Sequence, residues 1–207
     1  MSIQIEYFGH SCFRVSKNGY RVLFDPYADS SVPGMQLPDH LEAEEVLCSH
    51  AHEDHNAVEK VQIIRSASSS PFAVAEMTVE HDDANGRKRG LNRIRILSSD
   101  GCRIAHFGDL GRILNVTEIQ NLMNLDCIMI PCGGYFTIDA DQVRSIVERI
   151  QPKLTILMHY RTSTSGYSLI ESIDEIQKKI PSLKQLDETS VEIDGETAGI
   201  IALKPIQ

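Results

Sequence analysis

Three of the chain's eight histidines fall within six residues, in Ser49-His50-Ala51-His52-Glu53-Asp54-His55. His50 and His52 stand at i and i+2, which turns both imidazoles to the same side of an extended backbone. Asp54 and His55 follow as the chain turns. Imidazole nitrogens and a carboxylate in one short segment make a metal-ligating set, suited to zinc and also to manganese or iron. Further ligand-type residues stand where apolar runs end: His81 after residues 72–79, His106 and Asp109 at the close of residues 103–107, and His159 after Leu154–Met158. Strand ends are where loops gather over a rigid scaffold. A histidine-rich surface loop would account for residues 50–55 alone, but not for ligand-type residues at the end of strand after strand.

The elements that must position these residues are readable in outline. Residues 1–8 alternate apolar and polar, as a half-buried strand does. Residues 12–15 and 20–24 flank Lys17-Asn18-Gly19, and Asn-Gly is a tight-hairpin signal. Asp25-Pro26 stops the second strand of that hairpin. Residues 28–43 are polar with two prolines and read as a surface loop. The short apolar run 46–49 feeds into the histidine cluster. Residues 92–97 and 103–107 flank Asp100-Gly101 as a second hairpin, and Cys127–Pro131 and Leu154–Met158 read as buried strands.

Thr117-x-x-Gln120 suggests a capping box opening a helix that runs to Leu125, and Asp139-x-x-Gln142 does the same for residues 139–150. Residues 168–180 predict a third helix with Leu169, Ile173, Ile176 and Ile180 on one side. Val191–Ile193 and 198–203 around Asp194-Gly195 predict a closing hairpin. Hairpins first and mixed strands and helices later suggest helices packed outside β-sheets in one α/β domain, 1–207. A doubly wound sheet would need βαβ alternation from the start.

The 207 residues are enough for one full-sized domain, and 42% apolar with 24% charged residues is ordinary for a soluble globular protein. A start without a basic or apolar leader, and the absence of a membrane-length apolar run, predict a soluble cytoplasmic protein. The five cysteines are scattered with no CxxC pair, which argues against a disulfide framework or zinc knuckle. A net charge of −9 disfavours a nucleic-acid partner. It does not disfavour a small-molecule substrate, and the basic stretch Arg87-Lys88-Arg89 after His81 could meet an anionic one. Oligomeric state is left open.

His50-x-His52-x-Asp54-His55 resembles the signature of the metallo-β-lactamase superfamily. Gly9-His10-Ser11, Asp25-Pro26, Gly108-Asp109, Pro131-Cys132-Gly133-Gly134-Tyr135-Phe136-Thr137 and Met158-His159-Tyr160 resemble, in order, one branch of it. That branch is the small metal-dependent hydrolases related to ascorbate phosphate lactonases. The resemblance implies the metallo-β-lactamase fold, a four-layer αββα sandwich with the metals at one edge. It implies two divalent metal ions, zinc first. His50, His52 and His81 would bind one, Asp54, His55 and His159 the other, and Asp109 would bridge them. His106 competes with His81 for its place.

Two metals about 4 Å apart can share a hydroxide near neutral pH. The resemblance implies that this hydroxide attacks a small ester, lactone or phosphoester, with Asp54 in a catalytic, proton-accepting role. Asp25, His10, Ser11 and His106 would orient the ligands, and Tyr135, Thr137, Tyr160 and Arg161 are candidates for the pocket wall. A mononuclear iron sulfur dioxygenase of the same fold, a metallo-nuclease and a non-catalytic module are the competing readings. An intact ligand set speaks against the last, because a module without chemistry has no physical need for it.

Overall fold

Alternation of apolar side chains builds the first sheet. A computed structural model describes residues 2–66 and 69–206; Met1, in the alternating 1–8 stretch, lies outside them. Strands β1 (Ile3–Gly9), β2 (Cys12–Lys17) and β3 (Tyr20–Phe24) form an antiparallel meander. The β2–β3 turn is Asn18-Gly19, with φ of 53° and 80°. Those are the left-handed pairs that match the twist of a two-residue hairpin. Ile3, Ile5, Tyr7, Phe13, Val15, Val22 and Phe24 face the main core, while Phe8, Cys12 and Leu23 face the other way.

Residues 28–43 are more than a surface loop. Val32, Leu37 and Leu41 are buried against that second face, together with Tyr27. The stretch ends in β4 (Leu41–Ala43), which pairs with β6 (Val61–Ile63) as a small parallel ribbon. The few apolar residues are spaced without a helix or strand period, so polarity dominates the sequence signal. Between them β5 (Glu45–Leu47) joins β3 in parallel.

The second sheet begins with β7 (Ala73–Glu80), β8 (Leu91–Ser99) and β9 (Cys102–His106), again antiparallel. β10 (Cys127–Pro131) and β11 (Leu154–Met158) follow in parallel beside β9, each buried along its whole length. Such continuous apolar runs are what a strand covered on both faces requires. Helices α1 (Val116–Asn121), α2 (Ala140–Ile150) and α3 (Ile173–Lys179) supply Ile119, Val143, Ile146, Ile150, Ile173 and Ile176 to the same core.

Each helix opens with a reciprocal capping box, Asp139 with Gln142 as expected. The first cap is Asn115 with Glu118, two residues before the expected Thr117. The third is Ser172 with Glu175, so the helix starts after Leu169, whose side chain is 59% exposed. Segment 160–172 folds back instead, with the Arg161 amide donating to Glu171 and Ile173 to Arg161.

The expected closing hairpin does not form. After β12 (Lys184–Gln185), β13 (Ser190–Ile193) pairs antiparallel with β1, and β14 (Gly199–Ala202) pairs parallel with β11. Asp194-Gly195 does turn the chain, but the arms separate to opposite sheets because each finds a strand edge to cover. The sheet orders are β13-β1-β2-β3-β5 and β12-β14-β11-β10-β9-β8-β7. The two share one core, the sandwich architecture implied above.

This topology gathers the chemistry. β1, β3 and β5 run the same way in the first sheet, as do β7, β9 and β11 in the second. The residues that follow their C-terminal ends are His10, Asp25, the 49–55 segment, His81, the Gly108-Asp109 pair and His159. No helix among the described residues is long and apolar enough to cross a membrane.

Candidate metal centre

Asp25 organises the histidine segment from beneath. It is fully buried with a left-handed φ of 45°. Its Oδ1 accepts from the Ser49 amide at 2.7 Å, and its Oδ2 accepts from Ser49 Oγ at 2.6 Å. Since Ser49 Oγ donates to Asp25, it accepts from His50 Nδ1 at 2.9 Å. His55 Nδ1 lies 2.8 Å from Asp25 Oδ2. Both imidazoles therefore spend Nδ1–H on this network and turn Nε2 toward the cluster. The segment is pinned to the loop after Asp25 by amide bonds from Ala28 to Glu53 and from Ala57 to Pro26.

Asp109 is set by a close approach. Gly108 has φ of +52°, and a Cβ there would lie 2.2 Å from Asn92 Oδ1 and 2.4 Å from Ser49 Cβ, so only glycine fits. Asn92 uses that oxygen to accept the Asp109 amide and its Nδ2 to donate to the Phe107 carbonyl.

The histidines converge in two groups. His50 Nε2 and His52 Nδ1 are 3.0 Å apart. Ligand atoms of His50, His52 and His81 lie within 4.8 Å of one another, as do those of His10, Asp54, His55 and His159. Asp109 Oδ2 stands between the groups, 3.3 Å from His55 Nε2, 3.4 Å from His81 Nε2 and 3.2 Å from His159 Nε2. Asp54 Oδ2 meets His10 Nε2 at 3.2 Å and the Tyr167 hydroxyl at 3.1 Å; that hydroxyl also reaches the Ser31 carbonyl at 2.7 Å, its one proton shared. The cleft above measures about 350 Å³, walled by His52, Asp54, His81, Asp109 and His159, with Arg89, Phe136 and Tyr167 also lining it.

Buried polar atoms without a hydrogen bond mark this cluster. They include Asp109 Oδ1 and His55 Nε2. Asp109 Oδ1, a buried carboxylate oxygen with no donor facing it, is costly alone and is satisfied by a cation.

Burial fixes most protonation states. His50 and His10 are pushed down to about 3 and about 4, first by burial and then by neighbouring His55 and His159 respectively. His81 and His106 are also lowered, chiefly by burial. At His55 burial acts in the same direction, but the carboxylates of Asp109 and Asp25 outweigh it and hold the imidazole well above its ordinary value. Burial would raise Asp54 and Asp109, yet both are depressed, Asp54 by His10 and His55 and Asp109 by His159 and His55.

His106 is placed elsewhere. Its ring stacks on Phe24 at 4.9 Å, Nε2 donates to the Ser11 carbonyl at 2.8 Å, and Nδ1 accepts from the Gly108 amide. Both nitrogens are used. The four expected pocket-wall residues do not line the cleft. Tyr160 is buried and donates to the Leu203 carbonyl, Thr137 is buried and donates to the Ile138 carbonyl, and Tyr135 is 63% exposed, edge-on to Phe136. Arg161 binds the Ile170 carbonyl and Glu175 instead.

Asn92 and Tyr167 carry no sequence signal of their roles. Asn92 reads as one more strand residue, and Tyr167 reaches the site only through the fold-back of segment 160–172. No local pattern marks either.

Two sheets sharing a core, with a histidine–aspartate cage at one edge, define a metallo-β-lactamase architecture. A family model for the Beta-lactamase superfamily domain matches residues 4–159, and the chain belongs to that family. A UPF0173 metal-dependent hydrolase from Carboxydothermus hydrogenoformans is 26% identical over 194 residues, covering 77% of this chain and 85% of the relative. The structure of a candidate Zn-dependent hydrolase of the metallo-β-lactamase superfamily from Thermotoga maritima superposes with a TM-score of 0.73 at 22% identity, covering 99% of this chain and all of that one (100%). A metallo hydrolase from Ignicoccus hospitalis gives a TM-score of 0.63 at 19% identity, over 87% and 91% of the two chains.

Proposed function

We propose that this metal-dependent hydrolase holds two divalent ions and cleaves a small ester, lactone or phosphoester. His50, His52 and His81 would hold one ion, and Asp54, His55 and His159 the other, with Asp109 shared. The observation that carries the reading is Asp109 Oδ2, within 3.2–3.4 Å of the Nε2 atoms of His55, His81 and His159, which belong to both groups. An imidazole-rich set with carboxylates suits zinc first, and manganese or iron next.

Bound ions of this kind supply a reactive water near neutral pH and polarise the oxygen of the bond to be cleaved. The chain's own residues do the rest. Asp25 and Ser49 hold His50 and His55 in the tautomers that present Nε2. Asp54 is ionised, and His10 and Tyr167 fix its Oδ2, so it is placed to take up a proton from the attacking water. The cleft's volume suits a small molecule rather than a polymer. The five cysteines are all unpaired, which fits a reducing cytoplasm.

The test is a panel of esters, lactones and phosphoesters assayed with metal-loaded and chelated protein. Turnover of a panel member that disappears on chelation and returns on reloading is the expected result. Activity indifferent to chelation would overturn the reading.

A further inference from the structure

We propose that the substrate carries an anionic oxo group, carboxylate or phosphate, and that Arg89 binds it. This rests on the metal-hydrolase reading and adds the substrate's charge to it.

Arg89 lines the cleft beside His81 and Asp109. Its guanidinium carbon stands 5.3 Å from the Phe136 ring centroid. Among the described residues that guanidinium makes no hydrogen bond and no ion pair, whereas nearby cations are spent. Arg87 donates to the Ala84 carbonyl, Lys88 pairs with Asp83, Arg95 with Glu76, and Arg112 with Glu80 and Glu118. In a chain of net charge −9, a partly buried arginine whose guanidinium donors are all open among the described residues is an exception that points to a ligand.

The backbone that carries Arg89 is also positioned. Asp82, directly after the metal-binding candidate His81, accepts the amides of Ala84, Gly86, Lys88 and Arg89 itself. Four bonds to one carboxylate knit the loop and fix Arg89 relative to His81. Phe136 carries the cation over its ring and also meets Tyr167 edge-on, with ring centroids 5.4 Å apart. An aromatic wall thus links Arg89 to the residue that holds Asp54.

Electrostatics supplies the sign. Among the described residues Asp54 and Asp109 are the only carboxylates lining the cleft, so two divalent ions would leave it net positive before Arg89 is counted. A free guanidinium there adds repulsion that an anionic ligand removes. Its planar fork matches carboxylate and phosphate alike.

The experiment uses metal-loaded wild type, Arg89→Gln and Arg89→Lys. Three esters share one leaving group: one bears a free carboxylate, one a phosphate, and one is the neutral methyl ester of the first. Losing a charge-assisted bidentate contact should lower the anionic-to-neutral ratio of kcat/KM by about 10- to 100-fold in Arg89→Gln, with partial recovery in Arg89→Lys. The two anionic arms tell which group the site takes. Calorimetric titration of inorganic phosphate and of acetate onto the same proteins gives an activity-free readout, with weaker binding expected in Arg89→Gln. Metal content is measured alongside. Full metal with an unchanged ratio and unchanged anion affinity would overturn the role of Arg89 and leave the metal reading standing. Loss of metal from Arg89→Gln would also overturn it, by making Arg89 a support of the cage. Absence of metal from wild type would instead sink the hydrolase reading itself.

Discussion

His55 Nδ1 lies 2.8 Å from Asp25 Oδ2, the same oxygen that accepts from Ser49 Oγ, which in turn accepts from His50. One buried carboxylate thereby orients an imidazole from each of the two groups. Asp25→Asn keeps the shape but puts an amide where an acceptor is needed. Metal affinity, read by competition with a chromogenic chelator, should fall about 10- to 100-fold at both positions. Wild-type affinity in this variant would remove Asp25 from that role.

His81 and His106 separate by what their nitrogens do. His81 faces Asp109 through Nε2, while both nitrogens of His106 are engaged by backbone. His81→Ala should lose metal with little change in the stability of the metal-free protein. His106→Ala should keep its metal but lose about 2–4 kcal/mol, through a vacated ring site and two unpaired backbone groups. Elemental analysis with denaturant melts checks both, and the opposite pattern would exchange their roles.

Tyr167→Phe removes the hydroxyl shared by Ser31 and Asp54. Asp54 keeps His10 but loses one restraint. A loss of about 1–2 kcal/mol in transition-state positioning corresponds to roughly 5- to 30-fold in kcat, with metal content intact. Metal loss in this variant would mean that Tyr167 supports the cage rather than the proton transfer.

The metal-free protein should be acid-labile. The folded state holds His10 at about 4 against an ordinary 6.5, so the unfolded chain takes up that proton first. Stability then falls as pH drops from about 6.5 toward about 4. His50, His81 and His106 act in the same direction, while His55, raised, contributes stability already present below about 6.5 and leaves this window unchanged. Melting temperatures of chelated protein between pH 7 and pH 4.5 (about this window) should decline. A flat or rising trend would contradict these protonation states.

Much of the site was legible because its residues come in local patterns. The 50–55 segment, Gly108-Asp109 and His159 each stand at a strand end, and the fully buried Cys127–Pro131 and Leu154–Met158 strands announce themselves as unbroken apolar runs. The Asn18-Gly19 turn and the Asp139 cap are equally local. What escaped depends on tertiary choice. Asp194-Gly195 signals a turn, but nothing local says that its arms go to β1 and β11. Val32 and Leu37 are buried by a sheet face formed by residues far from them in the chain. Tyr160 looks like a pocket residue beside His159, yet it points into the core and donates to the Leu203 carbonyl.

The most direct test of the two-ion site is elemental mass spectrometry on protein purified without added metal, with Asp109→Ala beside it. About two zinc or manganese ions per chain, reduced in the variant, are expected because Asp109 joins both groups. A single iron, or full occupancy without Asp109, would contradict it.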